Sequence, residues 1–139
     1  EHRMEVLEKS MQYLTEAKQA YISHMAKDLS APFYSYLFAF DEELGRKVQL
    51  NDIYEIGIVD HGILRQMDYY SSGIKDVIWF CERMAFIQRL SVKEKPVIVL
   101  DDVFLALDHE MQKKAFNMVG RISQDFQIIY LSCHEYAVL

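Results

Sequence analysis

The chain has 139 residues, 51% of them hydrophobic, and its 15 basic and 21 acidic side chains give a formal charge of −6. That length holds one domain with a real core, is short for two, and contains no apolar run near the ~20 residues of a membrane-spanning helix. The acidic balance argues against a surface devoted to clamping nucleic acid, so any DNA contact is expected to rely on other parts of an assembly.

Apolar residues at Met4, Leu7, Met11, Leu14, Tyr21 and Met25, interrupted by Lys18 and followed by Leu29, form a heptad seam. Residues 1–30 therefore read as the end of a coiled-coil arm or as a long helix, with an ordinary amphipathic helix as the plain alternative. At Ser30-Ala31-Pro32 the seam is expected to stop. Ser30 can cap a new helix with Pro32 in its first turn, and a short aromatic helix from Phe33 to Phe40 follows. The first residue is Glu1 rather than Met and nothing near it reads as a signal peptide, so the sequence is expected to be part of something longer.

Between Val48 and Tyr70 the period shortens to two, and Asp60-His61-Gly62 supplies a turn, predicting an antiparallel hairpin. After Gly73 the pattern is helical, with Ile74, Val77, Ile78, Cys81, Met84, Ala85 and Leu90 on one wide apolar face. Pro96 closes the next loop, and Val97 to Leu100 reads as a central parallel strand. Asp108 can cap a helix from Met111 to Ile122, and Gln127 to Cys133 reads as another buried strand. This order implies an α/β parallel unit whose ligands bind beyond the carboxyl ends of the strands. Asp101, Asp102 and His134 stand at those ends.

The two cysteines, Cys81 and Cys133, lack metal-ligand spacing and lie in apolar surroundings, predicting buried thiols in a reducing compartment, by default the cytoplasm. Trp79, Phe80 and the tyrosines near Tyr34 and Tyr54 read as core rather than as base-stacking surfaces. Lys75, Arg83 and Arg89 read as helix charges, solvated or paired with nearby acids, and His61 and His109 as loop or surface residues.

A buried strand that runs straight into Asp101-Asp102 delivers negative charge to a sheet edge, where a cation or hydrogen-bond donors must meet it. An apolar strand ending in two acids, then Ala106-Leu107-Asp108, then a later strand ending in His134, resembles the second half of an ABC-type ATPase head. More narrowly, it is similar to the SMC-like coiled-coil ATPases, the group with RecF, RecN and YhaN-type proteins. The resemblance implies a parallel-strand P-loop NTPase fold, here its C-terminal lobe (residues 31–139) with an N-terminal helical arm and a β-hairpin.

In that family Val97 to Asp102 matches the Walker B strand, with Asp101 in the place of the carboxylate that holds Mg2+ and Asp102 in that of the acid that polarises the attacking water. Asp108 matches the D-loop aspartate that helps join two heads. "YSSGIK", Tyr70 to Lys75, resembles the signature motif that covers a bound ATP, with Ser71, Ser72, Gly73 and Lys75 as its cofactor-binding residues. His134 matches the switch histidine that contacts the γ-phosphate. Physically, Mg2+ needs only a carboxylate, phosphate oxygens and water. A second carboxylate can orient water for in-line attack. Backbone N–H groups at the start of a helix attract phosphate, and glycine removes a side chain that would hold it off.

The chain departs from the family pattern at Asp102, where Glu is commoner, and at Ser72 and Ile74. Ser71 and Asp101 stand 30 positions apart, which suits the SMC-like branch better than transporters. A phosphate-binding loop of the form G-x-x-x-x-G-K-[ST] is missing: Gly57 and Gly62 have the glycine spacing, but Ile63-Leu64 follows them. The resemblance therefore implies that a Walker A lobe, upstream in the same protein or on another chain, completes the site. It implies a second head as a dimer partner, DNA through the full assembly in repair, chromosome maintenance or antiphage defence, and a cytoplasmic setting that admits association with a bacterial nucleoid. The competing expectation is a coiled-coil interaction module whose ATPase lobe is degenerate. A transporter nucleotide-binding half is disfavoured by the aromatic hairpin and the long interval before the strand.

Overall fold

The computed structural model describes residues 2–134. Its first element, α1 (His2–Phe40), is one helix of 39 residues that continues through Pro32. The expected break at Ser30 to Pro32 is absent. Proline removes one helical N–H and crowds the preceding turn, but Ala26, Leu29, Phe33, Leu37 and Phe40 keep the three-and-four spacing across it and are all buried. Tertiary packing of that stripe outweighs the local penalty. On the other side of residue 22 the helix is bare: residues 3–21 are all exposed. The seam residues Met4, Leu7, Met11, Leu14 and Tyr21 are 62–70% exposed, so the first half of α1 projects from the core with its apolar stripe uncovered.

A short helix α2 (Glu42–Lys47) starts at Asp41, whose Oδ1 accepts from the Leu44 N–H at 2.9 Å and whose Oδ2 pairs with Lys114. Three antiparallel strands follow in the order β1 (Val48–Leu50), β2 (Ile56–Asp60), β3 (Ile63–Gln66). The predicted hairpin is β2–β3. Asp60 pairs with Ile63, and the two-residue turn places His61 and Gly62 at φ 49° and 78°, the doubly left-handed turn that matches strand twist. The extra strand β1 pairs Val48 with Ile58, and its end is held where the Leu50 N–H donates to the Tyr34 hydroxyl at 3.0 Å.

After a 3-10 turn, α3 (Ser72–Leu90) packs along the core part of α1 through Val77, Ile78, Phe80, Cys81, Met84 and Ala85. Arg89 Nε and Nη2 both donate to Asp28 Oδ2, at 3.2 and 2.9 Å, linking the two helices at their solvent edge. Leu90, read as part of the apolar face, lies in the last turn and is exposed, as is much of Trp79.

The second sheet pairs β4 (Ile98–Asp101) in parallel with β5 (Ile128–Leu131), and α4 (His109–Ile122) forms the crossover between them. The register joins Ile98 to Ile128 and Asp101 to Leu131. The strand read as central is, among the described residues, one of two. Ile98 and Leu100 face the core, whereas Val99, Asp101, Ile129 and Leu131 lie on a face open to solvent. Its unbroken apolar sequence resembles that of a strand covered on both sides, but only one side is covered here.

Candidate functional site

Both parallel strands end at the same rim, and the chain leaves them in unlike ways. Asp101 closes β4 with its side chain on the open face, exposed. Asp102 continues the ladder, its N–H donating to the Leu131 carbonyl at 3.0 Å, but it does so at φ 45°. Left-handed backbone is uncommon for a residue with a Cβ, and Asp is among the few side chains that tolerate it. The turn swings the Asp102 side chain to Cys133 and His134, which follow β5.

Three side chains converge there. The Cys133 Sγ donates to Asp102 Oδ2 at 3.3 Å and lies 3.2 Å from His134 Nδ1, and His134 Nδ1 stands 3.9 Å from Asp102 Oδ1. The His134 N–H donates to the Ser132 hydroxyl at 3.1 Å, which holds the two residues in a tight turn. Asp102 Oδ1 is sealed from solvent and accepts no hydrogen bond of ordinary geometry. The Ser132 hydroxyl, and next the Cys133 thiol, hold the Asp102 carboxyl below the usual carboxylate range despite partial desolvation. The same carboxylate, with desolvation, pushes the Cys133 thiol up.

The segment between Asp102 and α4 is pinned rather than loose. Phe104 is buried and meets Phe80 and Phe116 edge-on at centroid distances of 5.2 and 6.2 Å. Gln112 Nε2 donates to the Phe104 carbonyl at 3.3 Å. Asp108 caps α4, its Oδ1 accepting from the Met111 N–H at 2.9 Å. That cap was predicted, and the side chain remains exposed.

Ser71 caps α3, its hydroxyl accepting from the Ile74 N–H at 3.5 Å, while Ser72 is exposed and Lys75 half-buried in the first turn. Gly73 is buried and has a packing role that the sequence does not reveal. A Cβ there would lie 2.7 Å from the Ala106 carbonyl oxygen and 2.8 Å from Leu107 Cδ2. Its missing side chain lets the start of α3 press against the segment that ends at Asp108. The predicted residues thus form two adjoining groups: Asp101, Asp102 and His134 at the strand ends, and Ser71 to Lys75 against the stretch before Asp108.

Cys133 is the site residue that sequence reading misplaced. It was expected to be a buried core thiol and is exposed, in contact with Asp102 and His134. Its position between a strand end and a histidine was the available signal. Cys81 fits the expectation: it is fully buried, and desolvation pushes its thiol up to about 12. An apolar groove of about 410 Å³ runs between α3 and β4 past Trp79, Phe80, Arg83 and Val99, and none of the predicted site residues line it.

No protein-family model matches this chain, and no curated protein matches it in sequence. Among the described residues no helix is long and apolar enough to cross a membrane.

Proposed function

We propose that this chain is the C-terminal lobe of an SMC-like ATPase head, which binds and hydrolyses ATP with Mg2+ once a Walker A lobe completes it. The observation that carries this reading is the shared rim: the register of β4 on β5 brings Asp102 within 3.9 Å of His134 and leaves Asp101 open beside them. An exposed strand-end carboxylate suits Mg2+, which takes oxygen ligands and keeps several waters. Asp101 would hold that ion, and the ion would supply neutralising charge on the phosphate oxygens.

In this reading Asp102 orients the attacking water, and its depressed proton affinity keeps it an acceptor at neutral pH. His134 donates a hydrogen bond to the terminal phosphate. Ser71 and the first N–H groups of α3 face the nucleotide held by a second head, and Asp108 stands at the joint between heads. The exposed seam of α1 supports a paired coiled-coil arm, and the bare apolar side of the β4–β5 sheet supports a further layer of the head packed there. Action on DNA would belong to the full assembly.

The decisive test replaces Asp102 with Asn in the protein reconstituted with its Walker A lobe. Turnover is expected to fall at least about 100-fold, the scale of lost base positioning, while ATP-held dimers persist. Turnover at the wild-type rate would reject the assignment and favour a coiled-coil interaction module with a degenerate lobe.

A further inference from the structure

The donor set at the rim points to a second ligand that the nucleotide reading does not use. Among the described residues, Asp102, Cys133 and His134 are the one group of three whose potential ligand atoms lie within 4.8 Å of one another. A tetrahedral zinc ion, with bonds of about 2.3 Å to sulfur and about 2.0–2.2 Å to nitrogen or oxygen, spaces its donors roughly 3.4–3.6 Å apart. The separations here are 3.3 Å from sulfur to Asp102 Oδ2, 3.2 Å from sulfur to His134 Nδ1 and 3.9 Å from Nδ1 to Asp102 Oδ1. The two carboxylate distances belong to different oxygens, so rotation of the Asp102 carboxylate and the imidazole is needed to close the site, every pair of chosen donors starting within 4.8 Å.

We infer that Asp102, Cys133 and His134 form a binding site for zinc or a similar borderline-soft divalent transition metal, at the rim but chemically distinct from a Mg2+ position. Thiolate and imidazole are poor ligands for Mg2+ and good ones for Zn2+. The sealed Asp102 Oδ1, which accepts no hydrogen bond of ordinary geometry, gains a partner when a cation enters. The left-handed backbone at Asp102 and the Ser132 turn under His134 hold two of the three ligands in place before the ion arrives. Binding replaces the Cys133 S–H proton, which leaves to solvent, with a metal–sulfur bond. Three protein ligands leave one tetrahedral position for water or an incoming group, the pattern of open zinc sites.

The site stands on this geometry and does not depend on the nucleotide reading. Where both hold, a bound ion withdraws Asp102 and His134 from turnover, so zinc acts as an inhibitor at the same rim.

The test titrates Co2+, a spectroscopic probe for zinc, into the reduced, metal-free full chain. A sulfur-to-cobalt charge-transfer band should grow to one equivalent and disappear on addition of Zn2+, which binds such donors more tightly. Cys133→Ser should abolish the band and Cys81→Ala keep it. Asp102→Ala and His134→Ala should each weaken binding at least about tenfold. No band when thiol titration confirms Cys133 reduced, a band that survives Cys133→Ser, or affinity unchanged in both Asp102→Ala and His134→Ala would overturn the inference. The two readings fail separately. Loss of turnover in Asp102→Asn without a cobalt band rejects the metal site alone, and a cobalt band with normal turnover in Asp102→Asn rejects the ATPase reading alone.

Discussion

Gly73→Ala distinguishes a packing glycine from a phosphate-reading one. The added methyl would sit 2.7 Å from the Ala106 carbonyl oxygen and 2.8 Å from Leu107 Cδ2. Leu107 can rotate, but the carbonyl is main chain and moves only with the segment pinned by Phe104 and by the Asp108 cap. Overpacking of this kind costs about 1–3 kcal/mol, and the gain in helix propensity returns at most ~1 kcal/mol in a first turn. The net expectation is a loss of about 1–2 kcal/mol, read as a fall of roughly 0.5–1 M in the urea midpoint at unchanged slope. Gly120→Ala is the control: nothing lies within 4 Å of its added methyl, it is exposed in α4, and about 0.5–1 kcal/mol of stabilisation is expected. If Gly73→Ala unfolds at the wild-type midpoint, the close approach of α3 to Ala106 is not what requires glycine, and the packing argument fails.

Two further perturbations test particular groups. The Tyr70 hydroxyl is buried without a hydrogen-bond partner, so Tyr70→Phe should raise stability by up to about 1 kcal/mol in chemical denaturation; a clear loss would mean the hydroxyl is satisfied after all. Burial pushes the Asp41 carboxyl up, but Lys114 and the Leu44 N–H outweigh it and leave it below its ordinary value. A depressed folded-state pKa gives stability that is present above the unfolded value, roughly pH 4, and is lost as pH falls through the folded one. Asp41→Asn should therefore melt roughly 2–4 °C below wild type at pH 7, with the gap closing as pH falls below the ordinary carboxylate range. A gap that is constant from pH 7 to pH 2 would show that the charge on Asp41 does not matter.

Much of this arrangement was legible because local chemistry and global fold agree. His61-Gly62 can hardly be anything but a tight hairpin turn, Asp108 caps the helix it is expected to cap, and the apolar runs before Asp101 and Cys133 do pair in parallel. That pairing, with the left-handed turn at Asp102, sets Asp102 beside His134. The misreadings came where tertiary context decides. Pro32 looks like a boundary to any local rule, yet a stripe of buried residues on both sides of it keeps α1 whole. Val99, Ile129 and Leu131 have the composition of a doubly covered strand, and composition does not say which face is covered. Cys133 follows an apolar run, so burial is the natural expectation, but it stands two residues past the end of β5 at Leu131, out at the rim. The close packing of Gly73 on Ala106 lies outside sequence reading, because proximity across more than thirty positions leaves no trace in a single sequence.

Because α1 crosses from bare arm to buried core without a break, there is no hinge at the crossing. The exposed stretch of residues 3–21 amounts to roughly 28 Å of helix at 1.5 Å per residue. Stiffly joined, it works as a lever whose other half, of equal length, is clamped against α3 and α4, so a tilt of about 10° at the clamp sweeps the far tip through roughly 5 Å. Any force on the tip returns to the core by the same route, and the Arg89 to Asp28 bridge sits just inside the fulcrum, where that load would first be felt.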